Sequence, residues 1–226
     1  MNEAKRRDRR DDWGKVKTRK EIISCFRDGQ TIAIGGQAGV NSPWNLIDCV
    51  LESGAKHLTV YSVDAGDLDS GVGRLIHAGR VDRMVTTHIG TNPEASQKML
   101  DGEIEIELSP MGSFMERVRC GGAGLGGVLT KTGLGTVAEE GKQIITVRGE
   151  RYILEEVLRA DVSISRARMA DVIGNLYYHG TGTASHPIIA TSGNVNIVEC
   201  DFLCDVGEIS PDHVRVPGIF IDMILI

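Results

Sequence analysis

Two adjacent glycines, Gly35 and Gly36, stand where backbone amide groups could do chemistry. They follow a run of β-branched and apolar residues over 31–34, which predicts a short buried strand. Ser42 and Pro43 come next, and they favour the N-cap and the first position of a helix. A strand, a glycine turn and a helix start present free backbone N–H groups to an anion or a developing oxyanion. A tight connection without a ligand is the alternative.

A second glycine-rich stretch covers residues 121–135, where seven of fifteen residues are glycine, and it predicts a loop. Residues 122–127 fit the G-x-G-x-x-G pattern, but a dinucleotide site needs a strand before it and a helix after it. Here a helix is predicted before the motif, which argues against a dinucleotide site. A P-loop also fails, because Gln143 stands where serine or threonine is required. The scattered histidines support neither a metal site nor a serine triad.

Composition narrows the class of protein. The chain has 226 residues, of which 41% are hydrophobic and 25% charged, as in ordinary soluble domains. The formal charge of −6 argues against nucleic-acid binding, and no apolar run reaches the ~20 residues that span a bilayer. The five cysteines form neither a disulfide framework nor a metal-ligand set, so free thiols in a cytoplasmic protein are expected.

The elements that must position the glycines alternate between strands and helices. Residues 1–17 are predicted to be a flexible, charged N-terminus, and residues 18–226 a single domain that opens with a capping box at Thr18 and Glu21. The alternation favours an α/β fold with a mostly parallel sheet flanked by helices. The second half is richer in strands and contains a predicted hairpin. Helices are predicted at 43–52, 73–78, 92–100 and 113–120, and strands at 58–63, 83–89, 104–108, 143–147, 152–154, 161–165, 173–178, 195–198 and 219–224.

Several segments together resemble the α subunit of family I CoA-transferases. Residues 28–43 fit that family's Asp-Gly, apolar run, Gly-Gly and Pro signature, and residues 107–124 fit its Glu-Leu-x-Pro-Gln-Gly-Thr and Arg-x-Gly-Gly-Ala-Gly segment. The resemblance covers roughly residues 18 to 226 and extends through 88–94 and 129–142. It implies the family's α-subunit fold and a role in acyl-CoA metabolism.

The resemblance also implies that two chains, an α and a β subunit, share one catalytic site. In this family a glutamate of the β subunit attacks the acyl-CoA thioester, and a glutamyl-CoA thioester carries CoA to a second acid. No catalytic residue is expected in this chain, because the β-subunit motif that carries the glutamate is not found in it. Glu139 and Glu140 lie in a segment that α chains share, so a surface role is expected for them. The expected partners are a β subunit, in an α₂β₂ or larger assembly, and acyl-CoA and carboxylic acid substrates. A coenzyme A thioester is expected as substrate, with no permanently bound cofactor, no nucleic acid and no membrane.

The chain would then supply one wall of the pocket, including an oxyanion site. The residues predicted to form this wall are Gly35, Gly36, Gln37, Ala38, Val63, Asp64, Met111, Gly121, Gly122 and Ala123.

Five departures from the family pattern fall at predicted pocket positions. Gln37 replaces Phe, Asn41 replaces Gly, Val63 replaces Asn, Met111 replaces Gln, and residues 183–187 replace a polar Arg/Lys-Asn-Phe-Asn-Pro segment. Methionine neither donates nor accepts a strong hydrogen bond, and a lost buried hydrogen bond costs about 1–3 kcal/mol. The acyl group is therefore expected to differ from acetate and acetoacetate.

Three readings of these departures remain open. The acyl group could be larger, or it could carry an amine that Asp64, Asp67 and Asp69 would face, although a solvated acidic loop is the alternative. The missing glutamine would also permit an acyl-CoA hydrolase or lyase of the same fold. A non-catalytic ligand-binding subunit is the third reading.

Overall fold

The fold contains a large sheet and a small one. The computed structural model describes residues 13–226, and residues 1–12 of the predicted N-terminal segment lie outside that range. The strands are β1 (Thr31–Ile34), β2 (Leu58–Ser62), β3 (Val81–Thr86), β4 (Glu105–Leu108), β5 (Gly127–Thr130), β6 (Ile144–Val147), β7 (Glu150–Glu156), β8 (Ala160–Asp171), β9 (Leu176–Tyr177), β10 (Gly193–Cys204) and β11 (Met223–Leu225). The large sheet runs β11-β10-β8-β1-β2-β3-β4 and is parallel, with β9 added antiparallel to β8. The small sheet is antiparallel, in the order β5-β7-β6.

Helices cover both faces of the large sheet, which confirms the predicted fold class. They are α1 (Arg19–Ile23), α2 (Trp44–Ser53), α3 (Gly73–His77), α4 (Pro93–Leu100), α5 (Met111–Gly122) and α6 (Gly182–Ile189), with short 3₁₀ turns at Val137–Glu139, Pro211–His213 and Gly218–Phe220. Ile32 and Ile34 pack into the cluster beneath α2, whereas Ala33 faces the cluster that contains Phe114 of α5. Alternate residues of β1 are thus buried on opposite faces, as a central parallel strand requires.

Local sequence signals explain several boundaries. Thr18 and Glu21 form the predicted capping box, and the Asn92 side chain caps α4 with Pro93 in its first turn. The β6–β7 hairpin closes through Arg148 and Gly149, whose φ angles of 52° and 80° suit the right-handed twist of the strands. The capping box and the hairpin are confirmed.

The predicted cap of α2 is wrong. Ser42 does not cap the helix: Pro43 occupies the N-cap position without a side-chain hydrogen bond, and Trp44 is the first helical residue. The reason is packing, since a Cβ on Gly36 would lie 2.8 Å from the Ser42 Oγ, which places that hydroxyl against the glycine turn. Instead, a carboxylate on a distant strand accepts a hydrogen bond from a backbone N–H group of α2.

Three other predicted elements differ from the structure. The glycine-rich stretch 121–135 is not all loop, because α5 continues to Gly122 and β5 begins at Gly127. The structure also contains α6, which includes residues 183–187 and was not among the predicted helices. The strands expected at 173–178 and 219–224 shrink to β9 and β11, while β8 and β10 each extend to twelve residues.

Residues 15–17, which the sequence analysis assigned to the N-terminal segment, contact the end of the chain. Val16 pairs with Ile224 of β11, and the Lys15 Nζ donates to the carbonyl groups of Gly218 and Ile221 at 2.6 Å. The outer edge of β11 is therefore covered by this segment.

Candidate active site

A cleft of about 350 Å³ opens at the carboxyl edge of the large sheet, where β1, β2 and β3 end. This edge is where open parallel sheets bind ligands. Five predicted pocket residues, from three separate segments, meet there with three residues that follow β3. The lining residues are Gln37, Ala38, Val63, Asp64, Thr87, His88, Thr91 and Met111.

The glycine pair lies at the inner end of the segment that forms this wall. The Gly35 N–H donates to the Ile164 carbonyl of β8 at 3.0 Å, so it serves the sheet and is not a free donor. Gly36 has φ +119°, a conformation that favours glycine, and it redirects the chain toward Gln37 in the cleft. The pair shapes the wall, and Gly36 does so by turning the chain.

His186 explains why position 35 has no side chain. A Cβ on Gly35 would lie 2.2 Å from the His186 Nδ1. The same nitrogen accepts a hydrogen bond from the Arg166 N–H of β8 at 3.1 Å, beyond the last residue of β1. The His186 ring therefore accepts a hydrogen bond from a β8 backbone N–H group at a point where β1 has already ended. Burial lowers the His186 pKa to about 4, opposed by the Asn41 backbone, so the ring is neutral near pH 7.

The Asp64 side chain connects two loops of the cleft through hydrogen bonds. One of its carboxylate oxygens accepts from the Ala38 N–H, and the other accepts from the Gly66 N–H at 2.8 Å. Ala38 has φ +48°, which is uncommon for a residue with a side chain, so this contact holds a strained turn. Asp67 and Asp69 are exposed and do not line the cleft.

The N-terminus of α5 faces the cleft through Met111. Pro110 is the N-cap residue and makes no side-chain capping bond, so the first N–H groups of the helix receive no local side-chain acceptor. The positive end of the helix dipole therefore lies at the cleft wall. The Met111 side chain, 43% exposed, adds an apolar surface where the family pattern has glutamine.

Gly121, Gly122 and Ala123 lie at the opposite end of the same helix, roughly 16 Å from Met111 at 1.5 Å per residue. Their N–H groups are engaged in the last turn: the Ala123 N–H, for example, donates to the Arg119 carbonyl. A Cβ on Gly121 or Gly122 would collide with the backbone of residues 158 or 191. The structure therefore gives these residues a packing role and does not bring them to the cleft.

Glu199 is a buried charged residue that sequence reasoning missed. It projects from β10, and its Oε2 accepts from the Leu46 N–H at 3.0 Å, which caps α2. Arg166 lies 3.8 Å away, and Glu199 is only 4% exposed. Burial raises its pKa to about 7, against the opposing effects of the N–H groups of α2 and of Arg166. No local pattern could reveal this cap, because 153 residues separate its two partners.

A second cleft, of about 530 Å³, lies between α5 and the small sheet. Its wall includes a charged network in which Arg117 pairs with Glu107 at 2.6 Å and the buried Glu155 pairs with Lys142 at 2.8 Å. Glu140 lines this second cleft, and Glu139 pairs with Arg151. Neither glutamate lines the first cleft.

The first cleft thus combines a helix N-terminus and a rigid loop with no lining glutamate, cysteine or serine among residues 13–226. Within the same range no group of three or more His, Cys, Asp or Glu side chains could hold a metal ion. None of the helices in the described chain has the length and apolar character to cross a bilayer. The cleft can therefore bind and polarise a substrate, and its one lining carboxylate, that of Asp64, is already held by two backbone N–H groups.

Residues 16–226 match the coenzyme A transferase family, and the chain belongs to that family. It is 45% identical over 212 residues to the acetate CoA-transferase subunit alpha of Escherichia coli K12, with 94% of this chain and 96% of the relative covered. It is 39% identical over 206 residues to the acetoacetyl-CoA:acetate/butyrate CoA transferase alpha subunit of Clostridium acetobutylicum, with 91% and 94% covered. Within the family, the chain is therefore of the α-subunit type.

The structural comparison agrees on the fold. The acyl-CoA transferase of E. coli O157:H7, solved as a thioester complex with CoA, has a TM-score of 0.83 at 18% identity. The match covers 94% of this chain and 47% of that protein, so this chain spans about half the length of that transferase.

Proposed function

We propose that this chain is the α subunit of a heteromeric CoA-transferase that moves CoA between an acyl-CoA and a carboxylic acid. The observation that carries the proposal is a cleft with a helix N-terminus and a rigid loop but no lining glutamate among the described residues. Such a cleft would form one half of a covalent catalytic site whose glutamate comes from another chain. The names of the relatives support the proposal, because they describe α subunits of CoA-transferases.

In the proposed reaction a glutamate of a β subunit supplies the nucleophile. Its carboxylate oxygen attacks the thioester carbonyl, the C–S bond breaks, and an acyl-glutamyl anhydride and CoA thiolate form. The thiolate then attacks the glutamyl carbonyl, which releases the first acid and leaves a glutamyl-CoA thioester. A second carboxylate reverses both steps and leaves with CoA. In this chain the amide groups at the start of α5 would face the negative charge that develops on the carbonyl oxygen.

We also propose that the acyl group differs from acetate and acetoacetate, and that the assembly is α₂β₂ or larger. Val63 and Met111 give the cleft two apolar wall residues where the family pattern has amides. A substrate that relied on those amides would leave its own polar groups unpaired.

The test is to co-express the chain with a β subunit of its own organism and to incubate the complex with acyl-CoA. Borohydride reduction and peptide mass spectrometry are expected to locate a glutamyl thioester on the β chain, and the α chain alone is expected to be inactive. CoA transfer by the α chain alone would refute the proposal. Hydrolysis by the complex without a trapped thioester would favour a hydrolase of the same fold.

A further inference from the structure

The first cleft carries one fixed charge, and that charge is negative. Of its lining residues only Asp64 is an acid, and no lysine or arginine of the described chain lines it. The lining also includes Val63 and Met111, which are uncharged. An acyl group that enters this cleft therefore meets a carboxylate without a lining cation to offset it.

The position of this charge is constrained. Each oxygen of Asp64 accepts a backbone N–H, one from Ala38 and one from Gly66, so the side chain cannot turn away without breaking both bonds. The backbone of Asp64 also pairs with that of His88, another lining residue. When a partner chain covers the cleft and excludes water, the interaction between this carboxylate and a charged substrate strengthens.

We propose that Asp64 makes the cleft select acyl groups by the charge at their distal end, favouring an ammonium group and disfavouring a second carboxylate. The inference rests on the proposed function, because it concerns the acid that accepts CoA. The reacting carboxylate is common to all such acids, so only the distal group distinguishes them. Asp64 is thus a specificity-determining residue, and the substrate class is the amino-substituted or uncharged monocarboxylic acids rather than the dicarboxylic acids.

Three CoA acceptors isolate this effect, because they share the skeleton ⁻OOC–CH₂–CH₂–X. In butyrate X is a methyl group, in β-alanine an ammonium and in succinate a carboxylate. The αβ complex is assayed with each acid at pH 8. We expect kcat/KM for β-alanine to exceed that for succinate at least tenfold, with butyrate between them. Equal values, or a preference for succinate, would overturn the inference.

A pair of variants tests whether charge in the cleft causes the preference for β-alanine over succinate. Met111→Lys places a cation in the wall, and Met111→Gln is the uncharged control of similar length. The lysine variant is expected to lower the β-alanine to succinate ratio at least tenfold, and the glutamine variant to change it less than threefold. Equal changes in both variants would contradict the electrostatic explanation. Asp64→Asn is the less direct test, because a single amide oxygen cannot accept both backbone N–H groups.

The two proposals fail in different ways. If the complex transfers CoA to butyrate but does not distinguish β-alanine from succinate, the charge selection is wrong and the transferase function stands. If no acid accepts CoA and no glutamyl thioester forms, the proposed function itself is wrong.

Discussion

The buried carboxyl of Glu199 should make stability fall with rising pH, and Glu199→Gln should remove that effect. Burial raises the Glu199 pKa from 4.5 to about 7. Between these values the folded chain holds a proton that the unfolded chain has lost, so the free energy of unfolding decreases as pH rises. The decrease ends near pH 7, above which the carboxyl is ionised in both states. At about 1.4 kcal/mol per pH unit, the whole effect is about 3 kcal/mol.

Glutamine is neutral at every pH, and its amide oxygen can still accept the Leu46 N–H. The stability difference between the variant and the wild type is therefore expected to be smallest near pH 4 and to shift in favour of the variant by about 3 kcal/mol near pH 8, because only the wild type loses stability over that range. Urea unfolding of both proteins, in the same assembly state and at half-unit pH intervals, measures this difference. A constant offset at all pH values would reflect only the unpaired amide N–H₂ group.

The opposite change in stability would refute this explanation of the Glu199 pKa. If the N-terminus of α2 and Arg166 stabilise the ionised carboxylate more than burial penalises it, Glu199→Gln would lose stability above pH 7. That result would refute the assignment of burial as the dominant cause. Glu52→Gln is the matched control, because Glu52 lies near the other end of α2, is exposed, and has its pKa lowered by a hydrogen bond from Arg19. This control should show no gain above pH 7.

The remaining predictions concern the contact between Gly35 and His186. Gly35→Ala should destabilise the fold by about 1–3 kcal/mol, because the new Cβ would lie 2.2 Å from the His186 Nδ1. Adding His186→Ala should recover part of that loss in thermal unfolding, and a strictly additive double variant would contradict the clash. His186→Leu, which leaves the buried Arg166 N–H without its acceptor, should cost about 1–3 kcal/mol, and His186→Asn should cost less. Equal losses in unfolding experiments on these two variants would argue that ring packing, not the hydrogen bond, is what matters.

The sequence predicts the parts of the fold that depend on local periodicity and on short-range signals. The alternation of predicted strands and helices indicates the parallel sheet, and residues 148–150 between two predicted strands indicate the β6–β7 hairpin. Five pocket residues were also predicted, since they follow strands whose carboxyl ends share one edge of the sheet. The remaining lining residues, Thr87, His88 and Thr91, follow β3 in the same way, and they lie in or beside a segment, 88–94, that already resembled the family.

What could not be predicted depends on contacts between distant residues. Glu199 caps α2 across 153 positions, and His186 meets Gly35 only because β8 extends beyond β1. The glycines at 121 and 122 were wrongly predicted to line the pocket for a related reason. Their composition suits a ligand loop equally well, and only the packed backbone of residues 158 and 191 shows that they permit close helix contact.

The loop that follows β1 is held in place by contacts within this chain. Ala38 and Asn41 both have positive φ, at 48° and 55°, and such strain persists only where surrounding contacts determine it. Asp64 holds the first of these residues, and the Asn41 side chain donates to the Thr181 Oγ at 2.7 Å. Asparagine tolerates the left-handed region, so it can replace the family's glycine at position 41 and add this second tether. Because the loop is fixed at both positions, the proposed β subunit would lose little binding energy to ordering this wall if it docks there.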